Sequence, residues 1–569
     1  MIIILKEDLL ILFSTFAPHL PARDSVSDNS HLSGADWIAI LLYFFLKYAK
    51  IFLMGKKTLI YLLIILAIAS FFRLWNLNST PPGLYPDIAM NGNDALNSLK
   101  TGNFKLFYPE NNGREGLFMW LIALSFSIFG VSIWSIKIVA AIIGIFTILG
   151  LYLLAREVLN KNIALLSSFF LAISFWHTNF SRIGFRAIFL PFILVFSFYF
   201  LLKGLRQKKL LDFITAGIFF GLGFYTYISF RVAPLMLLAI LIPYWFIYKR
   251  QKLQKKFIIH TSLFIILVFL VALPIGLYFL QHPQDFISRA TSVSVFAQKN
   301  PIQAFGKSLI LHLGMFNFYG DSNWRHNFSG SPMLFWPIGI LFLIGFALSV
   351  KEIINFRKHK NWSLVIGHWS LVTWFLVMLL PGILTSEGIP HALRVIGVIP
   401  VVYIFAGLGG WNVYQWISQN TKHKTLLLVA SFLFLLMTGV VEFDKYFNKW
   451  GQNSEVKNAF AADYVEIGNY LNSLSNETQK YVIVNQSGVP VPWPNGIPMP
   501  AQSPMFIEST KYGQPQSTYL LPENLDQIKI TNKAVIVPME YDKDLFDKLQ
   551  QKFPEGEIKK INEIFIYEI

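Results

Sequence analysis

Four carboxylates, Asp87, Asp94, Glu110 and Glu115, lie in one stretch from Pro81 to Gly130. Carboxylates grouped this way can take a proton from a hydroxyl or hold a cation. The stretch is punctuated by turn residues, Pro81-Pro82-Gly83, Asn91-Gly92 and Asn112-Gly113. At about fifty residues it is long for a connector, and long ordered loops are usually functional. Asp87 comes first, soon after an apolar run, and Asp94 follows about two helical turns later on a similar face. Two blander readings compete. The stretch could be a solvated connector, and Asp87 could simply be the N-cap of a helix over DIAMNGNDALNSL.

Arginines supply the complementary chemistry. Arg182, Arg186, Arg231 and Arg394 stand in short turns that hold no lysine. The planar guanidinium fork suits bidentate phosphate binding, whereas generic topology signals need only charge. Snorkelling or helix pairing is the alternative. Two further runs add candidates. NFYGDSNWRHNFSGSP brings Asp321, Arg325 and His326, and PGILTSEGIPHALRVIGVIP brings Glu387, His391 and Arg394. His391 and Arg394 are three apart and share a face if helical. Pro381, Pro390 and Pro400 around them predict a broken or re-entrant segment lining protein or a wet cavity. Carboxylates favour Mg²⁺ or Mn²⁺, so a divalent metal could be held, but no spacing demands one and no metal ligands are assigned.

The elements that must position these groups are membrane spans. The chain has 569 residues, 54% hydrophobic and 14% charged, with a mean hydropathy of +0.50. That is a polytopic α-helical membrane protein rather than a soluble domain. Apolar runs predict eleven spans, near 57–75, 133–154, 162–180, 187–203, 211–229, 232–248, 257–280, 332–350, 362–382, 394–415 and 425–441. Alternate turns are rich in lysine and are assigned to the cytoplasm by the positive-inside rule. The first loop, 76–132, the segments at 281–331 and 381–400, and the tail from 442 then face outward. Gly116 to Gly130 is apolar, but a crossing there would invert every later turn, so it is expected to be an interfacial or re-entrant helix. The net charge of +16 is spread over those turns and does not signal nucleic acid. The absence of cysteine excludes thiol chemistry. Residues 1–53 form a doubtful N-terminal extension, because MGKKTLIYLLIILAIASFF from Met54 reads as a conventional start. Residues 54–441 are the expected transmembrane module. Residues 442–569 alternate helix-like and strand-like pieces and predict a small extracytoplasmic α/β domain.

TPPGLYPDIA, NGREGLFMWLIALSFSIFG, SRIGFRAIFLPF, GDSNWRHNFSGSP and PHALRVIGVIP, in that order, resemble the GT-C class of membrane glycosyltransferases. The chain is similar there to bacterial relatives of the dolichyl-phosphate-mannose protein mannosyltransferases and of the lipid A aminoarabinose transferase. The resemblance covers roughly residues 57–415. It implies a GT-C fold in the membrane, a sugar donor on a polyprenyl phosphate, and transfer with inversion at the outer face of a bacterial plasma membrane. The acceptor is then a lipid, a glycan or a protein, and no nucleic acid takes part. The family's first-loop carboxylate falls on Asp87, the implied base. Arg394, His391, Arg325, His326, Arg182 and Arg186 are the candidate donor-phosphate ligands, on the chemistry of the outward-facing cations. There are departures. Asp87 is followed by Ile88 rather than by an acid, and the turn HTNFSRIGFR lacks the acidic residue of some members, which puts Glu110 or Glu115 forward on the acceptor side. A lipid-linked-sugar transporter or flippase is the alternative. It would call for charges at mid-membrane and inverted repeats, and neither stands out here.

Overall fold

Backbone groups in lipid have no water to bond, so spanning segments must close their own hydrogen bonds as helices. The computed structural model describes residues 55–356, 362–491 and 496–569. Among the described residues nine helices are long and apolar enough to cross a membrane: Lys56–Leu74, Ile133–Val158, Arg186–Gln207, Ile228–Arg250, Gln254–Gln281, Trp336–Ile354, Trp362–Ile383, Ile396–Asn420 and Lys424–Trp450. The suspected extension, 1–53, lies outside the described residues.

Two of the eleven expected spans are shorter than predicted. The segment near 162–180 forms Lys161–Ile173 and then Phe175–Phe180. Ser174 breaks it, with an extended ψ of 126° and a side chain that accepts the amide of His177. The segment near 211–229 forms Leu210–Leu222 and tightens into a 3₁₀ turn, Gly223–Tyr225. Gly223 lies under the Phe230 ring, where a β-carbon would collide.

Burial sorts the helices into centre and rim. Ile133–Val158, Arg186–Gln207 and Ile396–Asn420 are 83%, 94% and 83% buried along their apolar windows, while Gln254–Gln281 and Lys424–Trp450 are only 11% buried. The rim helices offer Ile259, Phe269, Leu270, Phe432 and Met437 to the surroundings, as lipid-facing surfaces do. Two helices approach closely through small residues. Gly345 lies against the Phe405 carbonyl and Gly409 against the Leu341 carbonyl, so neither site admits a side chain.

The first long loop folds as three pieces. Pro86–Thr101 is a helix started by proline at its first position and ended by Gly102 in the left-handed region. A short antiparallel hairpin follows, β1 (Phe107–Tyr108) and β2 (Arg114–Glu115). Its turn runs through Asn111, Asn112 and Gly113, all at positive φ. Leu117–Phe129 is a separate thirteen-residue helix, about 20 Å long and too short to cross a bilayer.

The tail forms a five-stranded mixed sheet in the order β4-β3-β5-β7-β6. The strands are β3 (Gln479–Ile483), β4 (Thr518–Leu520), β5 (Ala534–Pro538), β6 (Glu557–Ile561) and β7 (Ile564–Glu568). Helices cover both faces. Ile467, Leu471 and Met505 pack against Val482, Val535 and Ile566 on one side, and Leu545, Phe546 and Leu549 against Ile483 and Ile536 on the other. Helix Gln502–Tyr512 seats the tail on the first loop. Asn93 donates to the Gln502 carbonyl at 3.1 Å, Ser503 donates to the Leu84 carbonyl at 2.7 Å, and Phe506 stacks on Phe126.

Candidate functional site

The site is built at one end of the helix bundle, where the first loop meets the segments around 179–186, 315–335 and 384–395. Asp87 sits at the second position of the helix Pro86–Thr101. The N-cap of that helix is Tyr85, so Asp87 is not the capping residue. Its Oδ1 accepts a 2.8 Å hydrogen bond from the Asn111 side-chain amide on the hairpin tip. One carboxylate oxygen is therefore held while Asp87 stays half-buried. Tyr85 stands beside it. Burial and the Asp87 charge push the Tyr85 phenol above its ordinary pKa, and the Arg325 guanidinium pulls it back. Arg325 lies over the Tyr85 ring at 4.1 Å. Among the described residues its guanidinium makes no hydrogen bond or ion pair, which leaves its donors for a ligand. The Arg325 backbone is pinned by Asn179, whose amide donates to its carbonyl at 2.7 Å.

A second cluster adjoins this one. Asp321 is almost fully buried and accepts from the backbone amides of Asn323 and Ala392, each at 2.8 Å. His326 Nδ1 lies 2.9 Å from Asp321 Oδ2, and His391 Nδ1 lies 3.9 Å from the same oxygen. Phe185 packs against both the Tyr85 and the His326 rings, so one aromatic side chain separates the two clusters. The His391 backbone amide donates to His312 Nε2 at 3.1 Å. Burial, reinforced by Arg394, lowers the His312 pKa, in keeping with an Nε2 that accepts from this amide.

The other expected site residues divide. Arg182 is fully buried, and its guanidinium donates to the carbonyls of Phe72, Asn76 and Thr80 at 2.8–3.2 Å. It clamps the start of the first loop, with all three guanidinium nitrogens committed to main-chain carbonyls rather than offered to a donor phosphate. Arg186 pairs with Glu115 at 3.1 Å and donates to the Gly113 carbonyl at 3.0 Å. Glu115 is 3% exposed, so this pair fastens the hairpin rather than presenting a free carboxylate. Arg394 donates to Glu387 Oε2 at 2.9 Å and to the Glu387 carbonyl at 2.7 Å. It bridges the ends of its own loop.

Glu110 is more open. With Asp94, Asn93, Lys100, Lys105 and Gln502 it lines a cavity of about 430 Å³ between the first loop and the tail. Burial pushes the Asp94 carboxyl up, while Arg114, 2.7 Å away, opposes that shift. The sequence named Asp321 without a role and did not single out Asn111 or Tyr85. The Asn112-Gly113 pair announced a turn, but which carboxylate the neighbouring Asn111 would reach depends on how the hairpin folds back.

The chain has the fold of the GT-C class of membrane glycosyltransferases. Residues 117–275 match the family model described as dolichyl-phosphate-mannose-protein mannosyltransferase. The crystal structure of ArnT from Cupriavidus metallidurans bound to undecaprenyl phosphate superposes with a TM-score of 0.51 at 13% identity, covering 94% of this chain and 98% of that one. The apo form of the same protein gives a TM-score of 0.52 at 13% identity, over 90% and 97%. An uncharacterised protein of Aquifex aeolicus (strain VF5) is 31% identical over 130 residues, 22% of this chain. That match spans about a quarter, 26%, of the Aquifex protein's length.

Proposed function

We propose that the protein transfers a sugar from a polyprenyl-phosphate donor to an acceptor hydroxyl at the outer face of the membrane, in one displacement with inversion. The observation that carries this reading is the juxtaposition at Tyr85. A carboxylate, Asp87, and a guanidinium free to bind phosphate, Arg325, flank the same ring. Glycosyl transfer from a phosphate needs a base beside the attacking hydroxyl and a cation beside the departing phosphate.

Asp87 takes the proton of the acceptor hydroxyl on the carboxylate oxygen that Asn111 leaves open. The acceptor oxygen bonds to the sugar C1 as the C1–O bond to phosphate breaks. The bonding pair leaves on the polyprenyl phosphate, whose negative charge Arg325 neutralises. Asp87 then returns its proton to water. Asn111 fixes the carboxylate, and holding a base in attack geometry saves barrier that a free group would have to overcome. On the acceptor side, Glu110 and Asp94, the latter about 10 Å along the helix from Asp87, line a polar cavity. Its carboxylates and amides suit the hydroxyls of a glycan or a lipid-linked sugar. The match to ArnT with undecaprenyl phosphate supports the donor class through fold alone.

The test is incubation of the purified protein with a panel of polyprenyl-phosphate sugars, following release of polyprenyl phosphate. Release with at least one donor is expected. No release from any of them, with or without added acceptors, would refute the reading.

A further inference from the structure

We infer that Asp321, His326 and His391 form a binding site for a divalent transition-metal ion of the zinc type. One donor atom from each residue lies within 4.8 Å of the other two. The distances from Asp321 Oδ2 to the two imidazole nitrogens are 2.9 and 3.9 Å. Ligand atoms around a tetrahedral ion with bonds of about 2.0–2.2 Å stand roughly 3.3 Å apart, and the two observed distances bracket that edge.

The surroundings are arranged as metal sites are. The carboxylate is held by two backbone amides, from Asn323 and Ala392. The His391 main chain is held by His312, whose Nε2 accepts and whose Nδ1 faces the Ser308 carbonyl at 2.8 Å. His312 is thus an outer support and not a ligand. The two imidazole rings lie 4.9 Å apart, and Phe180 and Phe185 shield the His326 ring. Such outer contacts orient ligands and exclude bulk water.

The donor set decides the ion. Two imidazoles and one carboxylate suit Zn²⁺, Co²⁺ or Fe²⁺, whereas Mg²⁺ prefers an all-oxygen shell. Three protein ligands leave a fourth position open. The ligands come from two segments, around 321–326 and at 391, and the ion cross-links them. This site stands whether or not the protein transfers sugars.

The test uses the full-length protein in detergent, stripped with chelator and refilled with Co²⁺ or Zn²⁺. Co²⁺ is expected to give the intense visible bands of a four-coordinate site, at one ion per chain, and Zn²⁺ to displace it. Mg²⁺ is expected not to displace it at equal concentration. Asp321→Asn and His391→Gln should each lose the bands and weaken Zn²⁺ binding beyond the roughly 10–100-fold typical of outer-shell changes. His391→Gln serves if Asp321→Asn fails to fold, because His391 is the most exposed of the three side chains at 15%. His423→Ala, an exposed histidine elsewhere, should change nothing. A wild-type protein without the bands would overturn the proposal. So would bands that survive Asp321→Asn or His391→Gln, which would mark an ion bound adventitiously at other histidines.

Discussion

Two basic regions meet at the same end of the bundle, and their arginines behave differently. In the sealed region Arg73, Lys137 and Arg182 are buried to within 1% and bond mainly to main-chain oxygen. Arg73 reaches the carbonyls of Ala69, Leu171 and Ala172, Lys137 that of Pro81, and Arg182 those of Phe72, Asn76 and Thr80. Arg73 also donates to His177 Nδ1 at 2.7 Å, which makes that nitrogen an acceptor. These cations satisfy carbonyls left over where helices end and the loop departs. In the open region Arg325 lies over the Tyr85 ring near Asp87, half-buried, with its donors uncommitted. An arginine on this face is therefore a candidate ligand by what it has left to give. Its charge and position along the chain do not separate the two cases.

The comparison can be broken by mutation. The largest effect is expected at Asp87. Asp87→Asn should fold normally and lose transfer by about 10²–10⁴-fold, because an amide cannot accept the proton. Near-normal turnover by this variant would move the base to Glu110. Arg182→Met should act on the other axis. It strands buried carbonyls at about 1–3 kcal/mol each, so thermal unfolding should fall by several degrees and expression with it. A fully stable Arg182→Met with weakened donor use would reverse the assignment of the two regions.

Smaller changes sharpen the contrast. Arg325→Lys keeps the charge and loses the fork, so donor affinity should weaken by about 1–3 kcal/mol with unfolding unchanged, as read from KM and a melting curve. Asn111→Ala should lower kcat by roughly tenfold with KM held, because it releases the base without touching the donor. Glu387→Gln should matter least. Its carboxylate is 64% exposed, and such pairs contribute about 1 kcal/mol or less, so neither melting nor donor KM should move appreciably.

Much of the fold was legible because membrane spans carry the strongest signal a sequence offers. The long apolar runs gave helices near the expected positions, and the short apolar piece at Leu117–Phe129 is a separate helix. In the tail, the strand-like pieces did form a sheet, and the side chains of β3 and β5 are buried on both faces. The helix Gln502–Tyr512 was not anticipated. It follows a proline-rich run, has a proline at its third position, and buries polar residues such as Gln502 and Glu508 against the first loop and the sheet. Strand β6 was missed because it is a solvated edge, EIKKI, with no alternation toward a core.

The site was legible in composition and not in pairing. Carboxylates in the first loop and cations in the later loops were visible as residue types. Arg182 and Arg325 look alike in sequence. Only the path of the main chain from Phe72 to Thr80 commits the first to carbonyls, and only the approach of Tyr85 leaves the second open. Asp321 has His326 five residues away in the same run, but it gained His391 through a contact between residues 70 positions apart, beyond the reach of any local pattern.

Equilibrium binding of polyprenyl phosphate, compared with the same polyprenol lacking phosphate, tests most directly whether the open region reads a lipid phosphate. Wild type should bind the phosphate form preferentially, Arg325→Met should lose about tenfold or more of that preference, and folded Arg182→Met should keep it. Equal binding of the two lipids by wild type, or a preference undiminished in Arg325→Met, would contradict the account.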